Sequence, residues 1–252
     1  MGVNIALTGH GALADSFSQV RKVNIHSFRK LSDADVSDIV KASDVIIHNS
    51  ANTRGKKPME LVRDNLSQTK RIVQIIRKTK PEVQFIYIGS MSYLTDDGYM
   101  ELHEMTPYAY TKFLSEMITV MNMVNYKCIR FSTLFYKNDE RDGLSRLIKV
   151  AKDQKIIQLI NSGSARRDYL PIQIAAKYLD DALTADTRPI VNICSGVETS
   201  FFQVAKILQR LTGCEIKFDN AIVPKVRSSF KRVLKEIPFN LEDEIKDYLK
   251  KV

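Results

Sequence analysis

The chain has 252 residues, of which 44% are hydrophobic and 27% charged, and its mean hydropathy is −0.19. These values exclude a disordered tail, a collagen-like fibre and a small disulfide-stapled protein. No apolar run approaches the roughly 18 residues that a membrane span needs. Three widely separated cysteines and four scattered histidines predict reduced core thiols in a cytoplasmic protein that holds no metal.

The charge balance favours a polyanionic partner. The net charge is +9 and the isoelectric point is near 9.3, which suits nucleic acid or phosphate-bearing small molecules. Basic residues concentrate between residues 51 and 80, where a helix is predicted over 59–78. A solvated helix face explains this charge, and the interleaved surface aromatics of single-strand binders are missing there. Nucleic acid is therefore not the expected partner.

Short apolar runs alternate with segments of helical period. Strands are predicted at 3–7, 23–25, 45–48, 83–88 and 128–131, with helices between them that include 59–78 and 110–124. This alternation predicts an α/β fold with a Rossmann-type doubly wound parallel sheet.

The alternation weakens after residue 136. We expect residues 1–136 to form a dinucleotide-binding domain, to which a strand and a helix within about 190–212 return. Residues 137–189 and 213–252 then form a small C-terminal lobe that binds substrate. Within 137–189 the pattern predicts a helix over 143–153 and a strand over 156–160.

A glycine-rich turn follows the first strand directly. Gly9, Gly11, Ala12 and Leu13 lie in a G-x-G-x-x-G/A pattern before a helix, and such small residues let the backbone approach a pyrophosphate. These four residues are the candidate cofactor loop.

The second strand bears on which dinucleotide binds. An NAD site usually presents a carboxylate about 20 residues after the glycine turn, but residues 25–32 contain none and include Arg29 and Lys30. Arg29 would accept a 2′-phosphate, which favours NADP(H) over NAD(H). The alternative is that both basic residues are ordinary surface charges.

A candidate catalytic group follows the fourth strand. Tyr108 and Lys112 form Y-x-x-x-K at the start of a helix, a pair that chance alone produces about once in this composition. Ser90 stands at the end of the preceding strand, where residues of a parallel sheet face the ligand crevice. Asn65, a polar residue in the helix before that strand, needs solvent or a functional partner.

Eight segments then occur in an order typical of one enzyme family. In chain order, 8–11 resembles the cofactor loop, 44–51 resembles D-x-V-I-H-x-A-A, 65–69 resembles N-x-x-G-T (with the Gly lost), and 88–92 resembles the serine strand. Further along, 107–112 resembles P-Y-G-x-S-K, 130–136 resembles L-R-x-x-N-V-Y-G, 163–171 resembles G-x-x-x-R-D-F-I-x-V, and 191–196 resembles Y-N-I-G-S-G. On these motifs the chain resembles the extended short-chain dehydrogenase/reductase superfamily, in its nucleotide-sugar epimerase, dehydratase and reductase branch.

The resemblance implies roles for particular residues. Tyr108 would be the acid/base, Lys112 would lower its pKa and hold the nicotinamide ribose, and Ser90 would hydrogen-bond the reacting oxygen. The further implied cofactor contacts are Asn49, Ser50, Ala51, Asn65 and Thr133. The implied substrate contacts are Ser90, Ser92 and Arg167, with Arg166 as a competitor for the diphosphate.

Departures from the family pattern narrow the reaction. Met91 and Ser92 replace the Asp-Glu pair of the 4,6-dehydratases, and no Cys near Ser90 or His after His103 supports 3,5-epimerisation. Reduction of a 4-keto sugar with NADPH and 4-epimerisation with tightly held NAD both remain. A non-catalytic NAD(P)-sensing or RNA-binding relative is the alternative from another class.

The resemblance also implies a homodimer through the helices 59–78 and 110–124. Their apolar faces could equally belong to the internal core. The chain is short for this family, so its substrate lobe is expected to be trimmed.

Overall fold

The computed structural model describes residues 2–53, 55, 57–95, 98–137, 142–184, 188–219 and 239–251. The strands are β1 Ile5–Thr8, β2 Asn24–His26, β3 Val45–His48, β4 Gln84–Ser90, β5 Leu94–Thr95, β6 Gly98–Tyr99, β7 Tyr126–Phe131, β8 Thr133–Phe135, β9 Ile156–Ile160, β10 Arg166–Pro171, β11 Ile190–Ile193, β12 Glu198–Ser200 and β13 Glu215–Asp219. The helices are α1 Ala12–Ser18, α2 Asp33–Ala42, α3 Pro58–Leu61, α4 Gln68–Thr79, α5 Pro107–Asn122, α6 Gly143–Asp153, α7 Ile172–Thr184, α8 Phe201–Thr212 and α9 Leu241–Leu249.

A six-stranded parallel sheet in the order β11-β7-β4-β3-β1-β2 organises the fold. β1 and β3 are buried at every residue because helices cover both faces of the sheet. The strand order reverses direction at β1, so the crevice outside the carboxyl ends of β1 and β3 is where such sheets bind ligands. The predicted Rossmann-type doubly wound sheet is confirmed.

The two faces of the sheet carry separate cores. On one face, α1 and α7 pack over the sheet through side chains such as Phe17 and Leu179. On the other face, α2 and α4 pack through Val36, Val40 and Ile76. The three cysteines, all among the described residues, are buried without a disulfide and lie in the apolar clusters.

A π-helical segment, Val62–Ser67, interrupts the helix predicted over 59–78. The sequence places Val62 and Leu66 on its inner face, but the structure buries Leu61 and Asn65 instead. A π turn holds one extra residue per turn, so it shifts the buried face by one position on its amino-terminal side. Asn65 is thereby turned into the interior.

α5 has an unusual distribution of side chains. Thr106 caps its first turn by accepting the Ala109 N–H, and Pro107 occupies the first helical position. Its buried positions are small or polar, whereas Met121 on its other face is 81% exposed, as is Val124 (88%) two residues after the helix ends. The buried residues are Ala109, Thr111, Lys112, Ser115, Glu116 and Thr119.

The remaining elements pack beside the sheet. β8, β10 and β12 form a three-stranded sheet and β9 pairs with β13, with α6, α8 and α9 around a common apolar cluster. β11 joins the main sheet as expected, but two helices pack differently from the expectation. α8 lies in the small cluster, whereas α7, from the segment 137–189, covers the main sheet. Residues 220–238 of the predicted lobe lie outside the described residues, and its substrate-binding role stays a prediction.

A buried ion pair joins α5 to β7. The Arg130 guanidinium donates to both carboxylate oxygens of Glu116, through Nε at 2.9 Å and through a second contact by Nη2. Tyr93 Oη donates to Glu116 Oε2 at 2.5 Å, and Arg130 Nη2 donates to Tyr99 Oη at 2.6 Å. Glu116 is 0% exposed, so its charge depends on these partners.

Removal of the Glu116 charge should destabilise the fold strongly. We expect Glu116→Gln to lower the free energy of unfolding by about 3–5 kcal/mol, because Arg130 is left buried and uncompensated. Urea unfolding measures the change. The control is Asp153→Asn, which breaks an exposed pair with Lys149 on α6 and should change stability little. Equal, small effects of both variants would contradict the account of α5.

Candidate active site

The predicted cofactor loop lies at the carboxyl ends of β1 and β3. Gly9 has a φ of 86°, and a Cβ there would lie 2.9 Å from Ser50 Cα, so only glycine allows the loop to pack against the chain after β3. A Cβ on Gly11 would meet no protein atom within 4 Å, so this residue faces open space. α1 begins at Ala12, and no side chain caps its first turn. This loop fits a pyrophosphate, which needs a close backbone and free N–H groups.

The other residues predicted to contact the cofactor near this loop differ in how far they are buried. Leu13 is in the core, so it can offer only its backbone to a cofactor. Asn49, Ser50 and Ala51 are half-buried directly after β3. Thr133 is half-buried at the start of β8, where it pairs with Tyr169.

A chain of hydrogen bonds runs through the buried His48. Thr8 Oγ1 lies 2.8 Å from His48 Nδ1, and His48 Nε2 lies 3.0 Å from Thr69 Oγ1. Thr69 donates its own proton to Asn65 C=O at 2.8 Å, so its oxygen accepts from Nε2–H and Nδ1 accepts from Thr8. Burial, followed by the charges of Lys112 and Arg29, lowers the pKa of His48 to about 3. The imidazole is therefore neutral and serves to position β1 and β3.

Asn65 is fully engaged with the protein. Its Oδ1 accepts the Asn52 N–H at 2.6 Å, and its Nδ2 donates to Asn52 C=O at 3.0 Å and to Thr111 Oγ1 at 3.2 Å. Thr111 Oγ1 in turn donates to Tyr108 C=O at 2.9 Å. Asn65 thus links the chain after β3 to the first turn of α5, and its amide is directed at these partners.

Tyr108 and Ser90 meet at the end of β4. Ser90 Oγ accepts the Ser92 N–H at 3.1 Å and donates to Ser92 Oγ at 3.0 Å. Burial raises the pKa of the Tyr108 hydroxyl, and a hydrogen bond to Ser90 partly offsets that increase. The structure therefore brings together the three predicted residues Ser90, Ser92 and Tyr108.

Lys112 is buried beneath this group. Its Nζ donates to Ile88 C=O at 2.6 Å and lies 4.4 Å from the centre of the Tyr87 ring. Burial lowers the pKa of Lys112 to about 7, and the Glu116 carboxylate acts in the opposite direction. We expected the ammonium to lower the pKa of Tyr108. In this structure it contacts Ile88 instead, and the pKa of Tyr108 is raised.

A profile of the NAD dependent epimerase/dehydratase family matches residues 2–194. The chain belongs to this family. Among curated protein sequences, none matches the chain significantly.

Several solved structures share the family fold. MoeE5 in complex with UDP-glucuronic acid and NAD has a TM-score of 0.82 at 16% identity, over 98% of this chain and 99% of that one. A UDP-N-acetylglucosamine 4-epimerase from Methanobrevibacter ruminantium M1 has a TM-score of 0.82 at 13% identity, over 98% and 97%. A dTDP-4-dehydrorhamnose reductase from Bacillus anthracis in complex with NADP has a TM-score of 0.80 at 12% identity, over 99% of both chains.

The predicted basic contact to the cofactor is paired in this family member. Arg29 Nη2 donates to Asp64 C=O at 3.1 Å, and Nη1 lies 3.8 Å from Asp64 Oδ2. Asp64 belongs to the π-helical segment, so Arg29 bridges the chain after β2 to that segment. The sequence offered no sign of this pairing.

The predicted substrate arginines lie on β10. Arg167 is half-buried, burial lowers its pKa, and its guanidinium lies 5.9 Å from the centre of the Phe201 ring. Arg166 is exposed. The two arginines therefore differ in burial, and Arg167 is the more buried of the two.

Asp168 has a positioning role that sequence reasoning missed. It accepts Ser132 Oγ at 2.8 Å, Ser195 N–H at 2.9 Å and Gly196 N–H at 2.7 Å. Ser132 follows β7 and Ser195 follows β11, so Asp168 attaches β10 to the carboxyl edge of the main sheet. The signal was its place beside Arg167 in a buried strand, where a carboxylate requires several donors.

Other kinds of site find no support in the described residues. No group of three or more His, Cys, Asp or Glu side chains is arranged there to hold a metal ion. In the same part of the chain, no helix is long and apolar enough to cross a membrane.

The neutral state of His48 predicts a pH effect on stability. Below about pH 6.5 the unfolded chain protonates this imidazole and the folded protein does not, so stability falls as the pH decreases toward 3. Between pH 7.5 and 5.0 we expect the wild-type protein to lose about 2 kcal/mol more unfolding free energy than His48→Asn. Urea unfolding at both pH values measures this.

The control for this experiment is His103→Asn, because His103 is exposed on the turn Leu102–Glu104. This variant should keep the wild-type loss. If His48→Asn shows that same loss, the imidazole is not buried in its neutral form.

Proposed function

We propose that the protein is an NAD(P)-dependent oxidoreductase that acts on a nucleotide-activated sugar, with reduction of a 4-keto sugar as its reaction. The observation that supports this most strongly is the grouping of Ser90, Tyr108 and Lys112 at the end of β4, in a chain of the NAD dependent epimerase/dehydratase family. The glycine loop, at the same end of the sheet and two strands away, has the open backbone that a dinucleotide needs.

Tyr108 is the proposed acid/base. When bound, the nicotinamide supplies or accepts the hydride. Tyr108 donates its hydroxyl proton to the carbonyl oxygen that becomes the alcohol, and it removes that proton in the reverse direction. Ser90 hydrogen-bonds the same oxygen and Tyr108. Lys112 holds the ribose hydroxyls of the bound dinucleotide.

Arg167 is the proposed contact for the substrate diphosphate. A guanidinium binds such a group through two parallel hydrogen bonds, and Asp168 holds β10 against the sheet edge where the sugar would lie. Nucleotide-sugars are present in the structures of MoeE5 and of other proteins with this fold.

NADP(H) is the proposed cofactor for a reductase, because residues 25–32 contain no carboxylate for a ribose 2′-hydroxyl. A 4-epimerase that retains NAD is the second candidate. The pairing of Arg29 with Asp64 favours it, since Asp64 compensates the charge that a 2′-phosphate would use. Mass spectrometry of the dinucleotide that co-purifies separates them: tightly held NAD supports the epimerase.

The catalytic proposal predicts the behaviour of two tyrosines on α5. NADPH absorbance at 340 nm should fall when a 4-keto-6-deoxy nucleotide-sugar is added. Tyr108→Phe should reduce kcat by at least 10²-fold, because the proton donor is lost. Tyr110→Phe is the matched control, since Tyr110 is exposed on the same helical turn, and it should keep the wild-type rate.

Full activity of Tyr108→Phe would contradict the role of the phenol. If the wild-type protein turns over no keto-sugar and instead binds RNA in a salt-sensitive manner, the non-catalytic alternative is correct.

We also propose a homodimer in which the outward face of α5 meets its copy. Met121 is exposed on this face, Leu114 and Met117 are half-buried beside it, and Val124 is exposed two residues after the helix ends. The exposed face of α4 is instead basic, through residues such as Lys70 and Arg77. An exposed apolar helix face favours burial against another protein surface, whereas the basic face is compatible with water.

The dimer proposal predicts that Met121→Glu gives a monomer in sedimentation, since a buried carboxylate at the contact is unfavourable. Val3→Glu, at an exposed apolar residue near the amino terminus, should sediment as the wild type does. A wild-type protein that sediments as a monomer at micromolar concentrations would exclude this interface.

A further inference from the structure

Ser90 is held by its backbone as well as by its side chain. Its N–H donates to Tyr93 Oη at 3.5 Å, in addition to the contacts of its hydroxyl with Ser92. Tyr93 is fully buried in the turn that joins β4 to β5. The chain thus folds back directly after β4, and a phenol three residues further along contacts the residue that we assign to catalysis.

The buried ion pair of Glu116 and Arg130 orients the Tyr93 hydroxyl. Glu116 accepts hydrogen bonds from Nε and Nη2 of Arg130, and a carboxylate paired in this way accepts hydrogen bonds and donates none. The Tyr93 O–H therefore points at Glu116 Oε2, which lies 2.5 Å from Tyr93 Oη. The lone pairs of Tyr93 Oη are left for the N–H of Ser90.

Gly89 allows these groups to lie close to the end of β4. A Cβ there would lie 3.0 Å from Tyr93 Oη, 3.1 Å from Arg130 Cγ and 3.2 Å from Glu116 Oε2. Contacts this short would displace the three groups. The lack of a side chain at Gly89 therefore lets the ion pair and the phenol pack against the residue before Ser90.

Tyr99 of β6 forms the outer end of this network. Arg130 Nη2 donates to Tyr99 Oη at 2.6 Å, although 48% of Tyr99 is exposed. The Tyr99 ring lies nearly parallel to that of Tyr93, with 6.5 Å between the centres, and meets the Phe113 ring edge-on at 5.4 Å. Tyr99 also pairs with Leu94 of β5. It therefore attaches the two strands that follow β4 to the ion pair from the solvent side.

We propose that Tyr93 and Tyr99 are positioning residues for the catalytic serine. Tyr93 acts through the backbone of Ser90, and Tyr99 acts by holding β5 and β6 against Arg130. Neither phenol is needed to balance the ion pair, because its two members compensate each other. The proposal rests on the proposed function, in which Ser90 hydrogen-bonds the reacting oxygen.

A positioning role affects the rate and not the binding of the dinucleotide. A misplacement of about 1 Å in a group that acts on the reacting atoms can lower the rate about 10²-fold. The glycine loop lies two strands away from Ser90 in the sheet, so its contacts with a dinucleotide do not depend on the two phenols. Loss of either hydroxyl should therefore lower kcat and leave KM for NADPH unchanged.

Steady-state kinetics of the full-length protein with NADPH and a 4-keto-6-deoxy nucleotide-sugar test the proposal. We expect Tyr93→Phe to lower kcat about 10-fold and Tyr99→Phe about three-fold, each with an unchanged KM for NADPH. Both variants keep the aromatic ring and lose only the hydroxyl. Because Tyr99 is partly exposed, its variant provides the test even if Tyr93→Phe folds poorly.

Hydrogen exchange gives a second measurement that needs no substrate. In peptides that contain residues 89–95, both variants should exchange about 10-fold faster than the wild type, because the turn after β4 opens more often. Tyr178→Phe is the matched control, since it removes a hydroxyl from a tyrosine that is 1% exposed on α7, on the other face of the sheet. This variant should keep the wild-type kcat and the wild-type exchange of those peptides.

An unchanged kcat in either variant would overturn the proposal and leave the proposed function standing. An equal loss of kcat in Tyr178→Phe would also overturn it, because the loss would then follow stability alone. If the wild-type protein turns over no keto-sugar, the proposed function is wrong. The exchange data then decide alone, and unchanged exchange in both variants shows that the two phenols do not hold the turn at Ser90.

Discussion

The requirement that buried charges be compensated on the inner face of α5 underlies the whole arrangement. Lys112 and Glu116 lie one turn apart on that face and are almost completely buried. Lys112 is held by the Ile88 carbonyl and Glu116 by the Arg130 guanidinium. These two attachments, to β4 and β7, fix the orientation of the helix and its position on the sheet. Tyr108, one turn before Lys112, is consequently held beside Ser90.

The same requirement explains features outside the crevice. Because polar residues occupy the inner face of α5, Met121 lies exposed on the outer face, with the half-buried Leu114 and Met117 beside it. Asn65 enters the interior only because the π turn shifts the helix face, and it then links the chain after β3 to α5. His48 links β1 and β3 in its neutral form, so it adds no further positive charge beside Lys112.

Sequence patterns predict the bounds of helices and strands well where interactions within the segment determine them. The bounds of β3, α6 and β9 agree with the expected ranges 45–48, 143–153 and 156–160, because apolar periodicity and capping residues act within each segment. Periodicity shows that one face of a helix is buried but not which layer covers it. For that reason α8 was expected against the main sheet, whereas it packs in the small apolar cluster.

Features that depend on contacts between residues far apart in the chain could not be predicted from the sequence. The π turn is stabilised by the contacts of Asn65 with Asn52 and Thr111, and the latter lies 46 residues away. Arg29 was expected from spacing alone, but its partner Asp64 comes from a segment 35 residues later. The motifs identified Tyr108 and Lys112, whereas only the folded chain shows that Lys112 donates to the Ile88 carbonyl and has a pKa lowered to about 7.

A crystal structure with a bound dinucleotide tests the central claim, that buried Lys112 supports a proton-transferring Tyr108 beside the cofactor. The account predicts that Nζ of Lys112 lies within hydrogen-bonding distance of the nicotinamide ribose hydroxyls and that the Tyr108 hydroxyl faces the nicotinamide ring. It would be contradicted by a dinucleotide bound along the glycine loop with Lys112 Nζ out of reach of the ribose hydroxyls.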